Sequence, residues 1–158
     1  MSGVTNDLIK KSLEISSDFS DSEYDVLVSS GEQVACSLIA GRLIHKGYKS
    51  RSWLSWQIPI ITNEVHKNSR INRVNRIKII KYLKEGGIPI ITGFQGVNYD
   101  NRITTIGRGG SDASAIMIAK FFKAEKCIIY TDVEGIYTTD PNKLLTAKKI
   151  KVISYEEM

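Results

Sequence analysis

Apolar residues recur along this chain at two spacings, one helical and one compact, and the alternation between them predicts the order of elements. In 5–15 (TNDLIKKSLEI), Leu8, Ile9, Leu13 and Ile15 fall near helical spacing behind Thr5, which predicts a helix capped by Thr5. A polar stretch at 16–23 separates it from a longer helical pattern over 24–46, where Val34, Leu38, Ile39 and Leu43 recur and Gly47 stands at the expected stop. Residues 49–54 and 58–62 read as short strands. A third helix is predicted over 72–85, with Val74, Ile77, Ile80 and Leu83 on one face and Gly86-Gly87 ending it. IPIIT at 88–92 and CIIYT at 127–131 are compact apolar runs expected as strands, joined through a loop and a helix at 113–122. Alternation of that kind predicts an α/β fold, a mainly parallel sheet with helices on both faces. No Pro/Gly-rich linker divides 1–158, so one domain, or part of one, is expected.

Composition changes this picture little. With 42% hydrophobic and 25% charged residues the chain has the ordinary globular mixture, which sets aside disordered, collagen-like and fibrous classes. Its apolar runs, such as 58–61 and 88–91, fall far short of the roughly 20 residues that cross a bilayer, and MSGVTNDLIKK has no export or transit pattern. A cytoplasmic location with no membrane partner is expected. The net charge of +5 comes from 22 basic and 17 acidic residues mixed along the chain. Lys67, Arg70, Arg73, Arg76, Lys78, Lys81 and Lys84 form a basic run, but it coincides with the polar side of the third helix and has little aromatic interleaving. A solvated face is the expectation, with no nucleic-acid partner. Cys36 and Cys127 lack a C-x-x-C or a nearby His pair, so both are expected as buried free thiols and no metal site is expected. His45 and His66 stand alone, and Trp53 and Trp56 flank a strand.

Ligands of open α/β sheets collect beyond the carboxyl ends of strands, which directs attention to the segments after 88–92 and 127–131. The first contains ITTIGRGGSDASA, where Gly107, Gly109 and Gly110 permit close backbone approach and Ser111 or Asp112 is placed to cap the next helix. Free amides at a helix start favour an anion, and Arg108 adds a planar fork suited to a carboxylate or phosphate. The spacing matches neither G-x-x-x-x-G-K-[ST] nor G-x-G-x-x-G. The second segment, YTDVEGIYTTDPNK, sets Thr131, Asp132, Tyr137, Thr138, Asp140 and Pro141 close together, a mixture that suits a nucleotide and equally suits a turn followed by a β-hairpin. A calcium loop is excluded by spacing. Glu32, after Ser29-Ser30-Gly31, is a carboxylate on an otherwise core-packed helix, placed either to meet an ammonium group or to face solvent.

The run GFQGVNYDNRITTIGRGGSDASA at 93–115 and YTDVEGIYTTDP at 130–141 resemble the aspartate kinases of the amino-acid kinase superfamily, supported by SSGEQV (29–34), HKNSRI (66–71) and KIKVISYEEM (149–158). The resemblance implies a three-layer αβα sandwich, here incomplete, and transfer of the ATP γ-phosphate to the side-chain carboxylate of L-aspartate. That step opens biosynthesis of lysine, diaminopimelate, threonine and methionine. By motif match it implies that Arg108 clamps the substrate α-carboxylate, Glu32 meets its α-ammonium, and Thr5, Gly109, Gly110 and Ser111 line the pocket. Asp112 would orient a phosphate-binding lysine. Thr131 and Asp132 would contact ATP, Tyr137 would lie beside adenine, and Thr138, Asp140, Pro141 and Asn142 would close over the nucleotide, with Mg2+ held mainly through the phosphates. Asn142 stands where the family usually has Arg. The family's first strands with their KFGGTS-type loop and its regulatory ACT domains are not in this sequence, so a partial catalytic domain over 1–158 is expected. It would work with a complementing chain or as a homo-oligomer; the alternative is an inactive remnant or split-chain half that only binds nucleotide or a partner.

Overall fold

The computed structural model describes residues 3–107, 109–130, 135, 137–139, 144 and 146–150. They fall into two compact units, 1–127 and 128–158. The first opens with helices α1 (Val4–Ile15) and α2 (Asp21–His45), followed by strands β1 (Ser50–Trp53), β2 (Ile60–Thr62) and β3 (Ile71–Val74). Helix α3 (Ile77–Lys84), strands β4 (Ile88–Ile91), β5 (Gln95–Val97) and β6 (Ile103–Thr105), and helix α4 (Gly110–Phe122) complete it.

One local device is used twice. α2 ends at Gly47 (φ 87°) and α3 at Gly86 (φ 74°), each left-handed just past the last turn, and each is followed within a few residues by a strand. The two strands that result, β1 and β4, pair in parallel with Ser50 opposite Ile88 and Trp53 opposite Ile91. A second sheet has the order β3-β2-β5-β6. Its β2–β5 pair is parallel, while the β2–β3 and β5–β6 pairs are antiparallel, so the expected α/β arrangement with parallel strands is present and two hairpins add the antiparallel pairs. Trp53, Ile58, Ile60, Ile71, Val74 and Ile79 form the core cluster, and Met117, Ile118, Phe121 and Phe122 of α4 pack against it. The Tyr82 ring meets Trp53 edge-on at 5.7 Å. α2 adds nothing to this cluster; it runs against β1, β4 and β6.

Several expectations need correction. The pattern over 72–85 is two elements, because Ile71–Val74 pairs with β2 and the helix begins only at Ile77. A period-2 strand and a period-3.6 helix joined end to end mimic one helical face when the strand is four residues long. Ile77 is 77% exposed, and the helix buries Ile79 instead. The basic run is correspondingly divided among a loop, β3 and α3, with Arg76 donating to the Phe121 carbonyl at 2.7 Å. On α2 the buried side is Asp25, Val28, Ser29, Gly31, Cys36 and Ala40, while Val34, Leu38 and Ile39 are exposed. Thr5, Ser111 and Asp112 do not cap: the N-caps of α1 and α4 are Gly3 and Gly109, both left-handed and without a side-chain cap. The segment between β4 and α4, read as a loop, holds the β5–β6 hairpin. Residues 127–130 form no strand, since a strand exists only through a ladder partner and none is present among the described residues. Cys36 is buried as expected and its thiol donates to the Ile90 carbonyl at 3.0 Å; Cys127 is exposed.

Gly96 on β5 illustrates how tightly the second sheet is assembled, because a Cβ there would meet Thr62 Cγ2 at 2.4 Å and the Ile60 carbonyl at 2.7 Å. Backbone cannot yield as a flexible side chain does, so Gly96→Ala is expected to lower stability by about 1–3 kcal/mol in urea titration. Gly41, an exposed position of α2 with nothing within 4 Å, is the control: Gly41→Ala is expected to gain about 0.5–1 kcal/mol from helix propensity alone.

Candidate active site

A cavity of about 810 Å3 opens in the first unit where three helices and the end of β6 come together. α1 brings Thr5 from its first turn, and α2 brings Tyr24 and Glu32 two helical turns apart on one face. Thr105 ends β6, and the glycine segment that follows supplies Gly107, Gly109 and Gly110 before Ser111 and Asp112 enter the first turn of α4. The helix start is fastened from below. Gly110 donates its N–H to the Gly107 carbonyl (3.0 Å), and Ser114 Oγ accepts the Phe94 N–H (2.8 Å) while donating to the Gly110 carbonyl. Phe94 is left-handed (φ 64°) and so close that a Cβ on Gly110 would lie 2.8 Å from its ring. A larger residue there would force the Phe94 ring to shift.

Behind the cavity lies a carboxylate fully removed from solvent. Asp25 Oδ1 accepts Thr105 Oγ1 (2.6 Å), Oδ2 accepts His66 Nδ1 (2.6 Å), and both oxygens share the Lys67 N–H at 3.1 Å. His66 therefore carries its proton on Nδ1 and does not stand alone. Lys67 follows in the left-handed region (φ 61°), a conformation that costs a non-glycine residue on the order of 1–2 kcal/mol. Its ammonium sits 4.7 Å from the centre of the Tyr24 ring and is ion-paired to Asp21, and both Lys67 and Tyr24 are among the residues that line the same cavity. The hydrogen bond to Asp21 holds the Lys67 pKa above its ordinary value. Burial pushes the Glu32 carboxyl up.

Of the residues singled out from sequence, Thr5, Glu32, Gly109, Gly110, Ser111 and Asp112 are thus brought to one cavity. Arg108, Thr131, Asp132, Asp140, Pro141 and Asn142 lie outside the described residues. Tyr137 and Thr138 belong to the second unit, where Tyr137 forms an antiparallel bridge with Lys149 and the Thr138 N–H donates to the Lys148 carbonyl at 3.0 Å.

A profile of the amino acid kinase family matches residues 1–158. The chain belongs to the amino acid kinase family. Among curated proteins it is 49% identical over 158 residues to the aspartokinase of Geobacillus stearothermophilus, covering 100% of this chain and 39% of that protein. Among solved structures it resembles E. coli aspartokinase III in complex with aspartate and ADP (TM-score 0.75, 30% identity, 93% of this chain and 35% of that one). It also resembles the aspartate kinase from Synechocystis (TM-score 0.71, 37% identity, 94% and 24%). The chain spans about two fifths of the length of the curated relatives it matches. Its fold is that of the amino acid kinases, in part.

Within this amino acid kinase cleft, several lining residues escaped sequence reasoning. Lys67 and Phe94 lie in segments that carry the family resemblance, HKNSRI and GFQG, so a signal was present. Tyr24 carries none, and neither does Asp25 behind the cavity, which is one acid in a polar helix start with partners 41 to 80 residues away.

A carboxyl whose folded pKa lies above its unfolded value costs stability as pH rises from the unfolded value through the folded one, and the cost is complete above that. Glu32→Gln is therefore expected to raise the urea midpoint at about pH 7, with the gain disappearing on acidification below the ordinary Glu value of about 4.3. A lower midpoint at neutral pH would show that Glu32 is stabilised by partners rather than penalised by burial.

Proposed function

We propose that this chain is part of the catalytic domain of an aspartate kinase, and that its cleft binds L-aspartate for phosphorylation of the side-chain carboxylate to 4-phospho-L-aspartate by ATP. The observation that carries this is the convergence on one cavity of three places far apart in the chain, Thr5, Glu32 and the run Gly109, Gly110, Ser111 and Asp112. The 49% identity to a curated aspartokinase supports the same substrate class. In this reading Glu32 meets the α-ammonium, Arg108 pairs with the α-carboxylate, and Thr5 and Ser111 donate hydroxyls at the walls. The ionised side-chain carboxylate is already a nucleophile, so no general base is needed and the work of the site is positioning and charge neutralisation. The start of α4 serves that purpose, because the Ser111 and Asp112 amides of its first turn have no carbonyl to meet within the helix and Gly109, with nothing within 4 Å of where its Cβ would stand, admits close approach of a phosphoryl group. Asp112, exposed in that turn, orients a phosphate-binding lysine from a complementing segment.

The nucleotide is assigned to the second segment, with Thr131 and Asp132 at its start, Tyr137 against the base, and Thr138, Asp140, Pro141 and Asn142 closing over it. Mg2+ arrives with ATP, held mainly through its phosphates, and neutralises phosphate charge when bound. Among the described residues no helix is long and apolar enough to cross a membrane. In this reading the enzyme is cytoplasmic and works as a homo-oligomer or with a complementing chain. A second reading is a half that binds ligand without turnover.

Hydroxylamine trapping separates the two. The chain alone is expected to form no aspartyl phosphate above background, and the chain co-expressed with the segments its relatives carry outside the matched stretch is expected to form it. No product from the complemented preparation would leave only the binding reading. In that preparation Arg108→Ala is expected to lower kcat/KM for aspartate by an amount corresponding to about 2–5 kcal/mol, and Arg108→Lys is expected not to restore it, since the paired fork is lost.

A further inference from the structure

Lys67 combines a costly backbone with a directed side chain. The left-handed conformation is unfavourable for lysine, yet it is over-determined: both oxygens of buried Asp25 take its N–H. Residues held in such conformations by their surroundings cluster at ligand sites. The Tyr24 ring and Asp21 then hold the ammonium, and Lys67 is the one lysine or arginine lining the cavity among the described residues. The other charged groups on that lining are the carboxylates Glu32 and Asp112. A ligand with a carboxylate at its far end would meet two like charges unless a cation faced it. Asp21 is 61% exposed, and ion pairs at such exposure contribute little, so a ligand carboxylate can take its place on Lys67 at small cost.

We propose that Lys67 is the specificity-determining cation of the cleft, pairing with the side-chain carboxylate of a dicarboxylic amino acid in exchange for Asp21. This rests on the reading of the cleft as an amino-acid site. Glu32 addresses the ammonium shared by all α-amino acids, whereas Lys67 distinguishes the side chain. The left-handed turn braced by Asp25 is what sets Lys67 at that wall, with its ammonium over the Tyr24 ring.

The test is calorimetric titration of the full chain with L-aspartate and with L-asparagine, which keeps the α-groups and loses the side-chain charge. The wild-type chain is expected to prefer L-aspartate by about tenfold or more, the scale of one hydrogen bond to a charged group. Lys67→Met and Lys67→Gly are expected to reduce that preference to near unity while still binding both ligands, and Lys67→Arg is expected to keep it. Lys67→Gly also relieves the left-handed backbone, so its melting temperature should not fall, which separates recognition from folding. A Lys67→Gly chain with the wild-type preference would overturn the proposal and leave the amino-acid reading standing. So would equal wild-type affinity for the two ligands, or loss of both alike in Lys67→Gly. A wild-type chain that binds neither would overturn the proposal and that reading together.

Discussion

Burying an ionised carboxylate is among the most expensive things a fold can do, and Asp25 is buried completely. Its charge is tolerable because three donors from two places converge on it: His66 and the Lys67 amide from the segment between β2 and β3, and Thr105 from the end of β6. The requirement works in both directions. Satisfying Asp25 on α2 fixes those two chain segments against the helix, and the Lys67 turn then forms the surface on which the glycine segment rests, since a Cβ on Gly107 would stand 3.0 Å from the Lys67 carbonyl. Ser69 extends the lock by donating both its N–H and its hydroxyl to the Thr105 carbonyl, at 2.8 and 2.9 Å. Removing one partner of such a cluster leaves a charge uncompensated, so the parts of the cleft wall stand or fall as a unit.

The same demand explains why α2 packs on a polar and small face. Asp25, Ser29, Gly31, Cys36 and Ala40 point inward, Ser29 returns its hydroxyl to the Val26 carbonyl at 2.9 Å, and the Ser29 carbonyl accepts Gln95 Nε2 at 3.1 Å. The buried side chains of Asp25, Ser29 and Cys36 on this face each have a partner within reach, and small side chains let the helix approach β1, β4 and β6 closely. The larger apolar residues Val34, Leu38 and Ile39 are left exposed. Apolar cohesion is concentrated elsewhere, in the cluster around Ile58, Ile60 and Ile79 that α4 covers. Rigid packing on one side and a polar lock on the other frame a cavity whose walls are helix ends and glycine turns, which suits chemistry that depends on holding charges in place.

Element types were legible in the sequence because helical spacing and glycine stops are local. The ends of α2 and α3 at Gly47 and Gly86 are set by a left-handed residue that needs no distant contact, and the strands that follow them were readable for the same reason. The motif residues of the cleft were legible through their family resemblance, and Thr5, Glu32 and Gly109 to Asp112 do meet. What pairing decides was not legible. Ile71–Val74 is a strand only because β2 lies beside it, and the β5–β6 hairpin was hidden in a polar, glycine-bearing segment whose ladder depends on register rather than hydrophobic alternation. Which face of α2 is buried, and that His66 has a partner, followed from Asp25, whose contacts with His66 and Thr105 span 41 and 80 residues. Local periodicity records which conformation a segment prefers; the cost of an unsatisfied buried charge is settled only when distant segments are brought together, and that is why tertiary structure alone could place Asp25, and with it Lys67, at the cleft.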